Sequence, residues 1–298
     1  MVVILNRAAG TSAKTDEIDA RVREAFAAAG AEAQIEHPSE TRNLSAIAEA
    51  AAAGGDDLVV AGGGDGTISA VASALAGTSK RLGVLPLGTL NHFAKDLAIP
   101  LDLAAAVETI VRGRVAEVDV GEVNGRVFIN NSSLGLYPQI VAHREQQQEQ
   151  LSRGKWAAFV WASVGALRRF PFLNLRITLE GKQLVRRTAF LFVGNNEYQI
   201  AGFNMGGRTC IDRGNLGLYL THRTGRLGLF RLGLRALFGR VEQAEDFDAF
   251  CVQEATIEAR RPRLLVATDG EVTSLSTPLY YRIRPRALRV MVPQPATT

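Results

Sequence analysis

Cysteine is almost absent from this sequence, which contains only Cys210 and Cys251 in 298 residues. Two cysteines provide neither a disulfide framework nor a set of metal ligands, so we expect a protein of the reducing cytoplasm. No apolar run reaches the roughly 18–20 residues that a membrane-spanning helix requires. The apolar N-terminus meets Asn6 and Arg7 too soon for a secretory signal and is predicted to be a strand.

An excess of charge of one sign is also missing. The net charge is +4, with 34 Lys and Arg residues against 30 Asp and Glu residues. This balance suits an anionic surface or a nucleotide, and it gives no reason to expect nucleic acid as a partner. Internal repeats and low-complexity linkers are absent. With 47% hydrophobic and 21% charged residues, the chain is typical of a globular protein that is long enough for two domains.

Glycine, in contrast, is concentrated directly after the apolar residues 58–61. An apolar strand, a glycine turn and a helix start form a phosphate-binding arrangement, because glycines let backbone amides approach an anion and the helix adds its positive end. A Walker loop is excluded since no Lys follows, and the dinucleotide fingerprint is excluded since position 67 is Thr. The predicted cradle consists of Gly62, Gly63, Gly64, Asp65, Gly66 and Thr67.

Asp65 is unexpected in such a loop, because a carboxylate repels a phosphate unless a cation or a polar bridge separates the two. We interpret Asp65 either as a residue linked to Mg²⁺ or as a hydrogen-bonding anchor of the loop. A plain tight turn is the alternative, and four glycines around an Asp-Gly-Thr sequence argue against it.

The first 120 residues alternate between predicted strands and helices. Apolar strands between amphipathic helices indicate a parallel sheet that is covered on both faces. Ligands of such sheets bind beyond the carboxyl ends of the strands, where the glycine loop and residues 86–91 both lie. Strands are predicted at 2–5, 33–36, 58–61 and 82–86, and helices at 16–29, 44–53, 68–76, 91–97 and 103–111.

The pattern changes near residue 122. Predicted strands at 118–123 and 126–129 flank Asn124-Gly125, a strong hairpin signal. The following short strands indicate an antiparallel β-sandwich or barrel. We therefore predict an α/β domain over residues 1–122 and a mainly antiparallel β-sandwich domain over 123–298, whose C-terminal tail is free to return to the first domain. The later strands are predicted at 175–179, 184–193, 216–220, 248–252, 255–258, 264–268, 279–283 and 288–292.

Two segments combine apolar residues with arginine. Residues 156–167 are largely apolar and are followed by Arg168 and Arg169, and residues 226–240 place seven Leu and Phe residues among four arginines. Helices of this kind lie in a lipid headgroup layer, or they pack on the second domain with the arginines toward solvent. Both interpretations stay open at this point.

Three motifs together carry a family resemblance: Gly62–Thr67, then Pro86-Leu87-Gly88-Thr89-Leu90-Asn91-His92-Phe93, then Asp269-Gly270-Glu271. In this order they make nearly the whole chain resemble the catalytic domain family of soluble bacterial diacylglycerol kinases and related sphingoid-base and ceramide kinases. That family shares a fold superfamily with NAD kinases and phosphofructokinases. The resemblance implies an NAD kinase/diacylglycerol kinase-like fold and transfer of phosphate from ATP to a lipid hydroxyl.

The resemblance also implies where ATP binds. Its phosphates would rest on residues 63–67 in a cleft between the domains, and Mg²⁺ would bridge phosphate oxygens. Ser39 or Thr41 would approach the nucleotide from the end of the second strand, and the choice between them stays open. The other implied nucleotide-binding residues are Asn6, Arg7, Gly10, Gly88, Thr89 and Asn91.

A kinase of this kind needs a base that takes the proton of the acceptor hydroxyl. Asp269 and Glu271 follow the predicted strand 264–268, and alternation places both on one side if the extended chain continues. The resemblance makes one of them the base. We favour Glu271 and expect Asp269 to belong to a polar or metal network. The alternative for Asp-Gly-Glu is a plain surface turn.

The chain departs from the family pattern at two positions. His92 stands where the family often has an Asp of the Mg²⁺ network. Either His92 contacts phosphate, or Asp96 one turn on supplies the charge, or Mg²⁺ is held differently. Arg213 stands where an Asp commonly helps to bind a structural Mg²⁺. Asp212 replaces it only through a shift of one residue, which turns a strand side chain the other way.

We therefore expect a cytoplasmic lipid kinase that associates peripherally with the inner membrane face and phosphorylates diacylglycerol. The alternatives are a sphingoid-base or ceramide kinase, a kinase for a soluble acceptor such as NAD, and a non-catalytic nucleotide or lipid sensor. The expected partner is a lipid surface and not nucleic acid, and a homodimer is one option for the assembly. The histidines without ligand spacing, interpreted as surface or packing residues, are His37, His143 and His222.

Overall fold

The computed structural model describes residues 1–6, 12–39, 41–135, 172–201, 204–208, 212–221 and 247–295. Arg7 and Gly10 of the predicted nucleotide site lie outside these ranges, as do His143, His222 and both arginine-containing apolar segments. The described helices are α1 Ser12–Ala28, α2 Leu44–Ala53, α3 Asp65–Leu75, α4 His92–Asp96 and α5 Leu103–Arg112.

Four strands form a parallel sheet in the spatial order β2-β1-β3-β4. Helices α2 and α3 bury Ile47 and Leu75 against one face, and α1 and α5 bury Phe26 and Ile110 against the other. The predicted parallel sheet with two covered faces is confirmed. Its strands are β1 Val2–Leu5, β2 Gln34–Glu36, β3 Leu58–Gly63 and β4 Arg81–Pro86.

The remaining strands build an antiparallel sandwich, as predicted. Inward-facing residues such as Ile177, Val193 and Leu218 form one apolar core between its two sheets. The strands are β5 Arg114–Val123, β6 Arg126–Phe128, β7 Asn131–Gly135, β8 Leu173–Leu179, β9 Lys182–Thr188, β10 Phe190–Asn195, β11 Tyr198–Ala201, β12 Asn204–Arg208, β13 Leu216–Thr221, β14 Phe247–Val252, β15 Glu254–Ala259, β16 Arg263–Thr268, β17 Glu271–Ser276 and β18 Leu279–Val292.

One ten-stranded sheet runs through both predicted domains. Its main path is β2-β1-β3-β4-β18-β15-β8-β9, and β5 pairs with β18 and β6. The second sheet has the order β14-β13-β10-β7-β16-β17, and β11 and β12 form a separate hairpin. Late residues of β18 pair in parallel with β4, so the C-terminal strand does extend to the first sheet. The division at residue 122 stays a prediction, because β5 and β18 belong to this shared sheet.

Several element boundaries differ from the sequence-based prediction. Predicted strands 279–283 and 288–292 are one strand, β18, whose pairing with β5 shifts between Arg284 and Leu288. Predicted strand 184–193 is instead divided between β9 and β10. Helix α3 begins at Asp65 and not at residue 68, so the Asp-Gly-Thr sequence forms its first turn. Among the described residues, no helix has the length and apolarity needed to cross a membrane.

Candidate active site

The glycine loop connects β3 directly to the start of α3. Gly64 is the N-terminal capping residue, its backbone is extended, and it supplies no side chain to cap the helix. The amides of Asp65 and Gly66 have no intrahelical partner, and the described part of the chain offers them no other acceptor. Amides in this position, at the positive end of an 11-residue helix, form a site that can bind phosphate oxygens.

The second predicted loop packs against the first. A Cβ atom added to Gly88 would lie 2.5 Å from the Cα atom of Gly64, so the two backbones approach as closely as glycine allows. The Leu87 amide also donates to the Gly63 carbonyl at 3.0 Å. The two loops therefore form one rim at the carboxyl ends of β3 and β4.

Asn91 stabilises the second loop from within. Its backbone is left-handed, with φ of 50°, and its side chain is buried. The side-chain Nδ2 donates to the Gly88 carbonyl at 2.8 Å, and Oδ1 accepts from the Gly88 amide at 3.1 Å. The structure thus uses the amide of Asn91 to shape the loop, whereas Thr89 is exposed beside it.

Asp65 links the glycine loop to α4. Its Oδ1 accepts a hydrogen bond from the Phe93 amide at 3.4 Å, near the start of the short helix that carries His92 and Asp96. This contact fits the role of a loop anchor, and it leaves Oδ2 for another partner. His92 is exposed.

Asn6 joins the end of β1 to the same site. Its Nδ2 donates to the Thr67 hydroxyl at 3.0 Å, and its backbone amide donates to the Gly62 carbonyl at 3.0 Å. Ser39 and Thr41 lie in an exposed turn after β2, where their hydroxyl oxygens are 3.2 Å apart. The structure therefore brings Asn6 to the glycine loop by direct contact.

Asp269 is enclosed by hydrogen-bond donors. Its Oδ2 accepts from the Ser69 hydroxyl at 2.5 Å and the Ile129 amide at 2.8 Å. Its Oδ1 accepts from the Asn130 and Asn131 amides at 2.8 and 2.9 Å. Burial raises the pKa of the Asp269 carboxyl above its ordinary value, and these four hydrogen bonds oppose the rise. Asp269 thus belongs to a polar network that joins α3 to the β6–β7 connection.

Replacing Asp269 by Ala should destabilise the protein by about 4 kcal/mol or more, because three amides and one hydroxyl lose their acceptor and each unsatisfied buried donor costs about 1–3 kcal/mol. Urea unfolding of the two proteins measures this difference. Asp56→Ala is the matched control, since that carboxylate forms a surface ion pair with the N-terminal amine at 3.3 Å. Equal unfolding free energies for both variants would contradict the role of Asp269.

The expectation that Asp269 and Glu271 share one side of an extended strand is wrong. Asp269 and Gly270 have φ angles of 49° and 90° and form a two-residue turn, so Thr268 pairs with Glu271 across the hairpin. Asp-Gly is a strong signal for such a turn, and it directs the Asp269 carboxylate inward. Glu271 starts the next strand with its side chain 76% exposed.

Glu271 lines the same cleft as Gly66, the glycine-loop residue in the first turn of α3. The open space measures about 790 Å³ and lies between the start of α2, the side of α3 and the β16–β17 turn. The Glu271 carboxylate lies 3.7 Å from the Arg126 guanidinium. The side chains of Glu49, Arg126 and Glu271 therefore line the same open space as Gly66. The lining includes Asn43, Ser45, Gly66, Ser69, Arg126 and Glu271.

The described residues do not gather a set of metal ligands, since they contain no group of three or more His, Cys, Asp and Glu side chains with suitable geometry. Asp96 and Asp212 share a different cleft of about 1100 Å³, whose lining also includes the carboxylates of Asp57 and Glu117 and four guanidinium groups. The guanidinium groups belong to Arg81, Arg114, Arg286 and Arg289. Because the described carboxylates form no cluster of metal ligands, they do not support a structural Mg²⁺ site at Asp212. The single carboxylate of Asp65 fits an Mg²⁺ ion that arrives with nucleotide phosphates.

Asp119 is a buried carboxylate that the sequence analysis missed. It is 1% exposed, and it accepts from the Arg286 amide at 2.9 Å and the Gly214 amide at 2.7 Å. Its third donor is Asn196 Nδ2 at 3.2 Å. These contacts hold the loop beside Arg213 against β5 and β18. The sequence did contain one indication of this role, because Asp119 lies between apolar residues of a predicted strand, and a buried Asp needs hydrogen-bond partners.

Comparisons with known proteins identify the two parts of the chain. Residues 1–123 match the model of the diacylglycerol kinase catalytic domain, and residues 139–292 match the YegS C-terminal NAD kinase beta sandwich-like domain. Diacylglycerol kinases of Staphylococcus carnosus and Staphylococcus aureus strain JH9 are each 31% identical over 142 residues, 47% of this chain. The match covers 45% and 44% of those proteins, so the chain spans less than half the length of these curated relatives.

Solved structures cover nearly the whole chain. A protein from Bacillus anthracis strain Sterne has a TM-score of 0.75 at 25% identity, covering 99% of this chain and 98% of its own. A diacylglycerol kinase from the same strain has a TM-score of 0.70 at 21% identity, covering 100% and 98%. Yeast NADH kinase complexed with NADH has a TM-score of 0.53 at 11% identity, covering 97% and 81%. The chain belongs to the bacterial lipid kinase family that joins a diacylglycerol kinase catalytic domain to a YegS-type β-sandwich domain.

Proposed function

We propose that the protein transfers the γ-phosphate of ATP to the hydroxyl of a membrane lipid, and that diacylglycerol is the acceptor, giving phosphatidic acid. The observation that carries this proposal is the shared cleft of Gly66 and Glu271. It joins a phosphate-binding helix start to an exposed carboxylate, which are the two groups that phosphoryl transfer to an alcohol requires.

The nucleotide phosphates lie on the amides at the start of α3. Gly64 and Gly88 bring the two loop backbones together with no side chain between them, and Asn6 donates a hydrogen bond to the hydroxyl of Thr67 beside them. Asp65 would hold Mg²⁺, which when bound neutralises charge on the phosphate oxygens. Thr89, Ser39 and Thr41 are the exposed hydroxyl groups available to the rest of the nucleotide.

Glu271 acts as the base. The lipid hydroxyl oxygen forms a bond to the γ-phosphorus, the bond from that phosphorus to the ADP oxygen breaks, and the hydroxyl proton passes to Glu271. Arg126 lies 3.7 Å from this carboxylate and is the nearest cationic side chain that pairs with it. Asp269 takes no proton in this scheme, because its two oxygens already accept four hydrogen bonds.

The choice of a lipid acceptor is supported by the diacylglycerol kinases among the relatives. The sequence adds the two arginine-containing apolar segments at 156–170 and 226–240, which suit peripheral binding to an anionic membrane on the cytoplasmic side. A soluble acceptor such as NAD has no comparable support, since the likeness to yeast NADH kinase concerns the fold alone.

The test is an acceptor panel. Purified protein is incubated with Mg²⁺ and γ-labelled ATP, together with vesicles that contain diacylglycerol, ceramide or sphingosine, and with NAD in parallel. Mass spectrometry identifies the product. We expect phosphatidic acid to form. Label only in NAD would overturn the lipid proposal, and ATP binding without transfer to any acceptor would favour a nucleotide sensor.

A further inference from the structure

The cleft that contains Gly66 and Glu271 has a single cationic side chain in its described lining. Arg126 is the only Lys, Arg or His among the described residues that line it. Three carboxylates line the same space, those of Glu49, Asp269 and Glu271. The Asp269 carboxylate already accepts four hydrogen bonds from its own network. A phosphate group that enters this space therefore meets the other two carboxylates, and Arg126 is placed to offset their repulsion.

Asp65, the residue that would hold Mg²⁺, is not among the described residues that line this cleft. Phosphoryl transfer spreads negative charge over three oxygens of the γ-phosphoryl group, and kinases neutralise that charge with metal ions and cationic side chains. The γ-phosphate oxygens that face the acceptor therefore need a donor from the cleft itself. A guanidinium group suits them, because its planar N–H groups match the geometry of phosphate oxygens.

The guanidinium group of Arg126 forms an ion pair but no hydrogen bond with the residues that the structure describes. A guanidinium carries five N–H donors, and N–H···O hydrogen bonds span about 2.7–3.2 Å. The Glu271 carboxylate lies 3.7 Å away, and the Arg126 side chain is 41% exposed. Its donors are therefore available to a phosphate group in the cleft.

The backbone of Arg126 is held on both sides. Asn124, in the preceding hairpin turn, donates through Nδ2 to the carbonyl of Ser276, the last residue of β17, at 3.0 Å. The carbonyl of Val127 accepts from the Ser73 hydroxyl of α3 at 3.3 Å. Strand β6 is thus fixed relative to the strand of the proposed base and to the helix of the glycine loop. Donors that the fold holds in place stabilise developing charge without having to reorganise.

We propose that Arg126 is a further catalytic residue, whose guanidinium group binds the γ-phosphate of ATP. The inference rests on the proposed function, because it takes Glu271 as the base. A base lies about 2.6–3.2 Å from the hydroxyl oxygen that it deprotonates, and that oxygen lies about 3–3.5 Å from the phosphorus that it attacks. The γ-phosphorus is therefore within about 6–7 Å of the Glu271 carboxylate. The Arg126 guanidinium, 3.7 Å from the same carboxylate, lies beside that position.

Arg126 changes its partner during the transfer. The acceptor hydroxyl oxygen bonds to the γ-phosphorus, the bond from that phosphorus to the ADP oxygen breaks, and the hydroxyl proton passes to Glu271. The Glu271 carboxyl then carries no charge, so its attraction for the guanidinium falls. The phosphoryl oxygens keep their negative charge, and the N–H groups of Arg126 donate to them.

Two variants of Arg126 separate charge from geometry. Arg126→Gln removes the charge, whereas Arg126→Lys keeps the charge and loses the paired donors. Arg176→Gln is the matched control, because Arg176 lies on β8 outside the cleft and pairs with the exposed carboxylate of Glu258 at 3.3 Å. Exposed ion pairs contribute little to stability, so all three variants should fold, and thermal unfolding checks this.

Calorimetry measures the affinity of each protein for ADP and for the non-hydrolysable ATP analogue AMPPNP, both with Mg²⁺. We expect Arg126→Gln to lose about tenfold in affinity for AMPPNP, as for the loss of a hydrogen bond between charged groups. Its affinity for ADP should not change, because ADP has no γ-phosphate. Arg126→Lys should lose less than Arg126→Gln, and Arg176→Gln should bind both nucleotides as the unmodified protein does.

A double variant, Arg126→Gln with Glu271→Gln, tests whether Arg126 acts only by positioning the base. Direct contact with the γ-phosphate predicts that Arg126→Gln still weakens AMPPNP binding when residue 271 is already Gln. No loss in that background, an equal loss for ADP, or unchanged AMPPNP affinity in the single variant would each overturn the proposal and leave nucleotide binding intact. If the unmodified protein binds neither nucleotide, the proposed function fails, and this inference fails with it.

Discussion

Glu271→Gln is expected to lower kcat by about 10²- to 10⁴-fold, which is the usual contribution of a general base. Gln keeps the shape and the hydrogen-bonding oxygen of the side chain but cannot take the hydroxyl proton at neutral pH. The side chain is 76% exposed, and its ion-pair partner is Arg126 at 3.7 Å, so the fold should not depend on it. Affinity for ATP should change little, because the phosphate site is made by backbone amides.

The control for this variant is Glu258→Gln. It removes the same charge from an exposed residue of β15, where the carboxylate pairs with Arg176 at 3.3 Å on the surface. Steady-state rates with diacylglycerol vesicles compare the two variants. If Glu271→Gln and Glu258→Gln retain equal activity, Glu271 is not the base.

Replacing Asp65 should also have a large effect. We expect turnover to fall by about 10²- to 10³-fold, which is the loss typical of removing a key electrostatic group from an active site. Two variants separate its two possible roles. Asp65→Asn keeps an oxygen that accepts the hydrogen bond of the Phe93 amide, now 3.4 Å from Oδ1, but loses the charge. Asp65→Ala loses both the charge and the acceptor.

We expect both Asp65 variants to lose turnover to a similar degree and to need more Mg²⁺ for half-maximal rate, because a charge is needed near the metal–nucleotide complex. If Asp65→Asn keeps normal turnover and only Asp65→Ala fails, the residue serves solely as an anchor for α4. Circular dichroism and thermal unfolding check that each variant is folded.

The glycine loop was predictable from sequence because its signals are local. The apolar residues of β3, the following glycines and the hydroxyl of Thr67 are contiguous, and backbone preference decides their conformation. The same holds for the caps Asn43 and Asp102, whose side chains accept from amides three residues ahead. Short-range physical rules are sufficient for features of this kind.

The polar network around Asp269 was less predictable, because its partners are distant in sequence. Ser69 is 200 residues away, and the donor amides are about 140 residues away. The turn itself had a local signal in Asp269-Gly270, and the assumption of a continuous strand hid it. Periodicity indicates that a residue faces inward, but it does not identify the donors that tertiary packing brings there.

Asp119 and His37 show the same limit. The partners of Asp119 come from β18 and from the loop beside Arg213, and those of His37 come from β1 and α1. No spacing within the sequence indicates these contacts, because each depends on how separate elements meet at one place in the fold. Neither residue belongs to the motifs from which the site was predicted.

A crystal structure of the protein with AMPPNP and Mg²⁺ would show whether the glycine loop and Glu271 form one phosphoryl-transfer site. We expect the terminal phosphates to lie within hydrogen-bonding distance of the Asp65 and Gly66 amides, with the γ-phosphate open to the cleft that Glu271 lines. A nucleotide bound with its phosphates away from the start of α3, or with its γ-phosphate closed off from that cleft, would rule out this site.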